Sequence, residues 1–143
     1  MKAIKTALIL GFCTLFSLTG GPGLAGEDSL RRGQAALLDG RYLAALHLAG
    51  QAFASGYRPD AAALVMARAA DLGGASFRRT EQLYLTALDK AENKAPVLGH
   101  LTLFYLQSGQ ITKAGRTEAA FTARCRYNCA GFTQQINAAR QSR

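Results

Sequence analysis

The chain has 143 residues, 49% of them hydrophobic and 18% charged, with 17 lysines and arginines against 9 acids for a formal net charge of +8. That length makes one domain rather than two, and no stretch after the first 25 residues reads as low-complexity or as a long linker. The basic excess points to acidic segments or anionic surfaces as electrostatic partners.

The first 25 residues are a different material from the rest. Lys2 and Lys5 precede an apolar run from Ala7 to Leu18, and Gly23-Leu24-Ala25 places small residues where a signal peptidase reads them. Charged start, short apolar run and small-residue site together predict a secretory signal over 1–25, cleaved after Ala25. The run is shorter than the ~20 residues of a spanning helix, and Thr14, Ser17 and Thr19 dilute it. A lipoprotein reading at Cys13 is disfavoured by the bulky Phe12 before it. Removal of Lys2 and Lys5 with the signal takes the net charge from +8 to +6.

From there the pattern is helical, with no period-two run long enough to read as a strand. Helices are expected over about residues 28–38, 42–55, 60–72, 77–91, 95–107 and 111–125. Asp28 or Ser29 can cap the first, Pro59-Asp60 opens the third, and Pro96 sits in the first turn of the fifth, where a missing N–H costs nothing. A short seventh helix, about Thr133 to Arg140, carries Phe132, Ile136 and Ala139 on one stripe that would cover the last apolar face.

These helices echo one another at a fixed interval. Gly40, Gly74 and Gly109 are spaced by 34 and then 35 residues, each in a polar break. After each glycine, Tyr42, Phe77 and Ile111 share one slot, Ala45, Thr80 and Ala114 the next, and Ala52, Ala87 and Phe121 a third, with a one-residue insertion beside Gly73-Gly74. Before them, Gly33, Ala67 and Thr102 mark a close-approach position, while Leu37, Asp71 and Leu106 align less well. Gly40, Ala45 and Ala114 are each expected to admit a neighbouring helix at close range. Such a period means stacked helical hairpins, which cannot bury their apolar faces singly.

These residues resemble the tetratricopeptide repeat. Gly33, Gly40-Arg41-Tyr42 and Ala45 fit its pattern in the first copy, and Leu101, Tyr105, Gly109, Ile111, Ala114 and Phe121 fit in the third. The second copy (Ala67, Gly74, Phe77, Ala87) is degenerate, with Thr80 where alanine is expected. The resemblance implies an all-α, right-handed α-solenoid of about three hairpins (repeats over about 26–59, 60–94 and 95–128) and a C-terminal cap over 129–143. It also implies that first-helix side chains line a concave groove that receives a peptide. On this sequence those are Arg31, Gln34 and Leu38, then Val65, Arg68 and Leu72, then His100, Leu103 and Gln107. Arginine meets a carboxylate with two parallel hydrogen bonds, so the groove suits an extended acidic segment. The family's carboxylate-gripping members use lysine and asparagine at these places, and this chain has neither.

Catalytic and metal-binding patterns are not found in the sequence. His47 and His100 lie in different repeats, the carboxylates are scattered, and no strand–loop–helix phosphate cradle carries a lysine. Ser55, Ser76 and Ser108 stand beside turns, where a hydroxyl ordinarily caps backbone amides. Neither a cofactor nor a metal is expected. Cys125 and Cys129, the pair left after cleavage, predict a disulfide in an exported chain. Their four-residue spacing has poor bridging geometry within an ideal helix, so the bridge predicts a broken helix there, with Asn128 and Gly131 able to adopt a left-handed ending.

From Lys113 onward six basic residues face one acid, Glu118. Export and the lack of interleaved stacking aromatics beyond Tyr127 argue against nucleic acid. Two functional readings stand: a non-catalytic scaffold or adaptor, periplasmic or secreted, holding a protein or peptide in its groove, and an assembly subunit docking on the cell envelope through its basic end. The oligomeric state is left open. If the signal reading is right, intact-mass measurement on protein from the envelope fraction will show a chain starting at Gly26. Recovery there of the precursor with Met1 retained would overturn it.

Overall fold

The structure, a computed structural model, describes residues 22–142. Seven helices and no strand occur among the described residues: α1 (Pro22–Leu38), α2 (Tyr42–Ala54), α3 (Pro59–Leu72), α4 (Phe77–Lys90), α5 (Ala95–Gln107), α6 (Ile111–Arg124) and α7 (Cys129–Gln141). The apolar signal run from Ala7 to Leu18 lies outside the described residues. Helix α1 packs on α2, α2 on α3, α3 on α4, and α5 on both α6 and α7. Helix α1 also reaches α3, and α3 reaches α5. Every packed pair is thus a first or second neighbour in sequence.

The echoing glycines have one local cause. At each of Gly40, Gly74 and Gly109 the backbone takes a left-handed φ (74°, 72° and 77°). The glycine N–H bonds the carbonyl three residues back, and the next N–H bonds the one five back, as in Gly40 to Leu37 (3.2 Å) with Arg41 to Ala36 (2.8 Å). Gly74 with Ala75 and Gly109 with Gln110 repeat this pair of bonds. It is the helix ending for which glycine, having no Cβ, is suited. Contrary to the expectation from sequence, Gly40 does not admit a neighbouring helix: a Cβ there would meet nothing nearer than the Tyr42 hydroxyl at 3.9 Å. Gly56 ends α2 in the same way outside the period. The inserted residue falls after Gly74, in the extended Ala75-Ser76 step that opens α4.

The close approaches lie at the small-residue slots. Ala45, Thr80 and Ala114 are fully buried, as are Ala52, Ala87 and Phe121. A Cβ on Gly33 would lie 3.1 Å from the Ala49 amide nitrogen, so α1 and α2 meet backbone to backbone. The first half of the core is accordingly alanine-rich, with Leu30 and Leu37 set among Ala45, Ala49, Ala52 and Ala62. The second half is aromatic. Phe77 of α4 stacks on Phe104 of α5 (centroids 5.1 Å apart), and Tyr84 tilts onto the same ring at 5.5 Å. Glu81 on α4 then ties three helices, accepting hydrogen bonds from Tyr105 of α5 (2.8 Å) and Lys113 of α6 (2.6 Å). The bond from Lys113 is the main reason its carboxyl is held below the usual carboxylate range.

Several expectations shift. Helix α1 begins at Pro22 rather than near residue 28, so Asp28 and Ser29 are interior; Asp28 instead pairs with Arg31 (2.6 Å) and Arg32 (3.4 Å) one turn on. Gly26, buried, leaves no room for a Cβ, which would stand 2.6 Å from that of Tyr57. The serines act on carbonyls more than on amides: Ser55 and Ser108 each donate to a helix-terminal carbonyl at 2.7 Å. Helix α7 starts four residues earlier than expected, at Cys129, and takes Gly131 into its first turn. Its stripe is as read, with Ile136 buried and Phe132 and Ala139 packed beside it.

The two hydroxyls in the small-residue slots have opposite fates. Thr102 donates to the Leu98 carbonyl (2.8 Å) and pairs with Thr117 (2.9 Å), whereas the buried Thr80 hydroxyl has no partner. An orphaned buried hydroxyl costs stability, while an apolar group of the same shape does not. Thr80→Val should therefore raise stability by about 1 kcal/mol, whereas Ala45→Leu and Ala114→Leu should each lower it by about 1–3 kcal/mol through overpacking. Chemical denaturation of the three variants checks both signs. A destabilised Thr80→Val, or unchanged midpoints for both leucine variants, would contradict this packing.

Candidate functional site

The residues read as groove-lining divide into two sets. Arg68, Leu72, His100, Leu103 and Gln107 line one hollow of about 180 Å³ between α3 and α5. Arg31, Gln34 and Leu38 do not line it. Arg31 is tied to Asp28 on its own helix, and Leu38 is 83% exposed near the end of α1. Val65 faces inward and is only 6% exposed, so it belongs to the core and not to the groove. Helix α5 lies beside α3, and Gln135 of α7 closes one wall; α1 also packs on α3 but contributes no residue to this hollow.

Three residues join the hollow that the repeat pattern did not single out: Asp71, Tyr84 and Gln135. Asp71 stands in the slot where Leu37 and Leu106 are buried apolar residues, and its misfit was the available signal. It accepts a hydrogen bond from the Tyr84 hydroxyl at 3.1 Å. Burial pushes its carboxyl pKa up, against the pull of that bond and of Arg68. Burial first, then Asp71 nearby, pushes the Tyr84 hydroxyl well above its ordinary value. Gln135 comes from α7, outside the repeat phase, where no register could place it.

His100 is a strongly perturbed base in the hollow. Its ring meets Phe132 of α7 edge-on, with centroids 4.9 Å apart. Burial, and secondarily the Arg68 charge, lower its pKa to about 4. Near neutral pH it is therefore an uncharged imidazole, a donor–acceptor rather than a positive charge. Arg68 has no ion-pair partner among the described residues. The hollow thus offers one guanidinium, one neutral imidazole, two amides and the Tyr84-bound Asp71 carboxylate above an apolar floor, a set that can grip a peptide backbone. Arg68 is close enough to Asp71 to feel its charge and is able to meet an incoming carboxylate as well.

The second predicted region, the basic C-terminal stretch, is partly neutralised. Lys113 pairs with Glu81 and lies over the Phe77 and Tyr105 rings at 5.3 and 5.4 Å. Arg140 pairs with Glu118. Arg116, Arg124 and Arg126 have no ion-pair partner among the described residues, and Arg143 lies outside them. Cys125 and Cys129 form the expected disulfide, with Cα atoms 5.8 Å apart. The helix breaks there as the spacing required: α6 ends at Arg124, Cys125 is extended, and Asn128 takes a left-handed φ of 55°.

Set against known protein families, curated proteins and solved structures, the chain matches no family model, no curated protein and no solved structure.

The His100 environment predicts a pH dependence. Its folded pKa of about 4 lies below the ordinary 6.5, so between these values the unfolded chain binds more protons and stability falls as pH is lowered. Asp71, held above its ordinary value, works in the opposite direction, favouring the folded chain on the acid side and losing that contribution as pH rises. Lowering pH from 7 to 5 should cost the wild type up to about 2 kcal/mol through His100, and His100→Gln should remove most of that loss. Denaturation midpoints for both proteins at the two pH values test this. Parallel losses would mean that His100 gains its proton freely in the folded state.

Proposed function

We propose that the chain is a non-catalytic binding module, an exported right-handed stack of three tetratricopeptide-like hairpins that holds a protein or peptide partner against its first-helix face. The observation that carries this reading is the convergence of Arg68, Leu72, His100, Leu103 and Gln107, from two successive first helices, in one hollow. Side chains one period apart in sequence then meet one extended segment together, as a repeat scaffold requires. The period itself, with its left-handed glycines and buried alanine slots, supports the stacked-hairpin arrangement.

The groups in the hollow fit recognition better than chemistry. The Asp71 carboxylate is engaged by Tyr84, and His100 lies against Phe132 instead of beside a nucleophile. Arg68 is the group left to meet an incoming carboxylate, so an acidic peptide segment suits the site. Arg31 contributes less than the sequence alone suggested, since Asp28 holds it. Export through a cleaved signal is part of this reading, and residues 23–25 of α1 are exposed, so their loss would uncover no core residue. Cleavage after Ala25 would remove an outer turn and leave the buried Gly26 in place. An assembly role through the basic end is the less supported reading, because Lys113 and Arg140 are consumed by Glu81 and Glu118.

Photocrosslinking in cells from Leu72, which is 54% exposed at the rim, should capture the partner, and crosslinking from Arg116 should not. Against that partner, Arg68→Ala should weaken binding at least about tenfold, or about 1.4 kcal/mol, with Arg31→Ala near wild type. Capture from Arg116 alone, with Arg68→Ala unaltered, would transfer the function to the basic end.

A further inference from the structure

Beneath the disulfide-bonded corner lies a second hollow, of about 400 Å³, outside the first-helix groove. Its apolar walls are Ala95, Pro96, Phe121 and Phe132, and Arg124 and Arg126 border it. We propose that this hollow binds a carboxylate carried on a compact apolar body. The carboxylate comes either from the C-terminus of a peptide with an apolar last residue or from a free small acid.

The volume lies in the range of small-ligand sites, which combine apolar walls with a few convergent polar groups. Phe121 is almost fully buried, and its ring meets Phe132 edge-on at 5.6 Å. The inner surface is therefore preformed and apolar, so it favours an apolar body over water. The border carries the opposite chemistry. Arg124 donates only to the Ala120 carbonyl of its own helix, at 3.4 Å, and neither Arg124 nor Arg126 is paired with an acid among the described residues. Glu92 lies along an adjoining recess that the two arginines share, but it pairs with neither. Two planar guanidinium groups can take a carboxylate through parallel hydrogen bonds.

The loop residues fit the same ligand. Asn93 accepts a hydrogen bond from the Ala95 N–H through Oδ1 (3.2 Å), which leaves its amide N–H groups free to donate, and it too lines the hollow. The loop that carries Arg126 is fixed at both ends by the disulfide and bent at Asn128 into a left-handed turn. A residue held at positive φ costs energy, and here it keeps the loop beside the hollow. The ring of Phe132 stands between this site and the groove, since it also packs against His100.

The test is an NMR titration of the isotope-labelled protein with three probes: 3-phenylpropionate, an acetylated Gly-Gly-Phe peptide with a free carboxylate, and the same peptide amidated. Both carboxylates should shift amides over residues 93–98 and 124–132, and the amidated peptide should bind at least about tenfold more weakly. Arg124→Gln/Arg126→Gln should lose affinity to the same degree with its helical circular dichroism unchanged, and Cys125→Ser/Cys129→Ser should weaken binding by releasing the loop. A peptide that binds more than about tenfold tighter than phenylpropionate assigns the site to peptide termini, and equal affinities assign it to a small acid. The proposal is overturned if the amidated peptide binds as tightly as the acid, if the arginine variant binds like wild type, or if millimolar probe moves none of these amides.

Discussion

Everything in this fold depends on helices approaching closely enough to touch through alanine. The buried residues fall into separate clusters, one mainly between α1, α2 and α3 and another from α3 to α7, so close contact at each helix interface matters. An alanine methyl buries little surface, and its value lies in what it permits: backbones come together until neighbouring side chains interdigitate at interior density. Gly33 against the Ala49 amide is the extreme case. Thr80 shows the same demand from the other side. The slot accepts the volume of threonine but supplies no partner for its hydroxyl, so shape is specified there more strictly than polarity. Where the second half of the chain departs from alanine, it fills the α4–α5 seam with the Phe77, Tyr84 and Phe104 rings.

The period was legible in the sequence because its cause is local. A glycine at the left-handed helix ending, a small residue where helices cross and a large apolar residue one turn on depend on nearby backbone, so they recur whenever the unit recurs. The same locality placed both ends of the five helices α2 to α6 within a residue. It failed for α1, whose first turn consists of the residues that also read as a peptidase site; one short segment satisfied two patterns. It misjudged Gly40, because close approach and positive φ both call for glycine, and sequence does not separate them. It placed Val65 in the groove because Val65 shares the repeat position of Arg31 and His100 and lies one turn from Arg68 on the same helix face, yet in this copy that position is turned into the core.

What sequence did not disclose were polar contacts between helices. Glu81 and Lys113 are 32 residues apart, and Asp71 meets Tyr84 across a hairpin. Each looks like a scattered surface charge or a degenerate repeat position until the helices are docked. These pairs also redistribute the electrostatics. A stretch that reads as six cations against one acid presents fewer to solvent, since Lys113 and Arg140 are paired within the fold. Solvated arginines then remain near Arg116 and around the stapled corner, and the positive field is more local than composition implied.

Helix α7 draws these threads together. It is 13 residues long and buries one residue completely, Ile136, too little to hold a helix of that length by apolar burial alone. Its position is fixed instead at its first turn. The Phe132 ring lies on Gly99 of α5, where a Cβ would stand 2.5 Å from ring carbon Cδ1, and the disulfide fixes the entry of the chain just before it. The closed loop is so short that little chain entropy is removed by closing it. The staple's contribution is therefore one of direction: it aims α7 so that Phe132 reaches Gly99 and His100 while Gln135 reaches the groove. A single ring, packed against both the groove imidazole and Phe121, thereby walls the corner hollow and backs His100 of the groove. A displacement of α7, which also supplies Gln135 to the groove, would alter the two together.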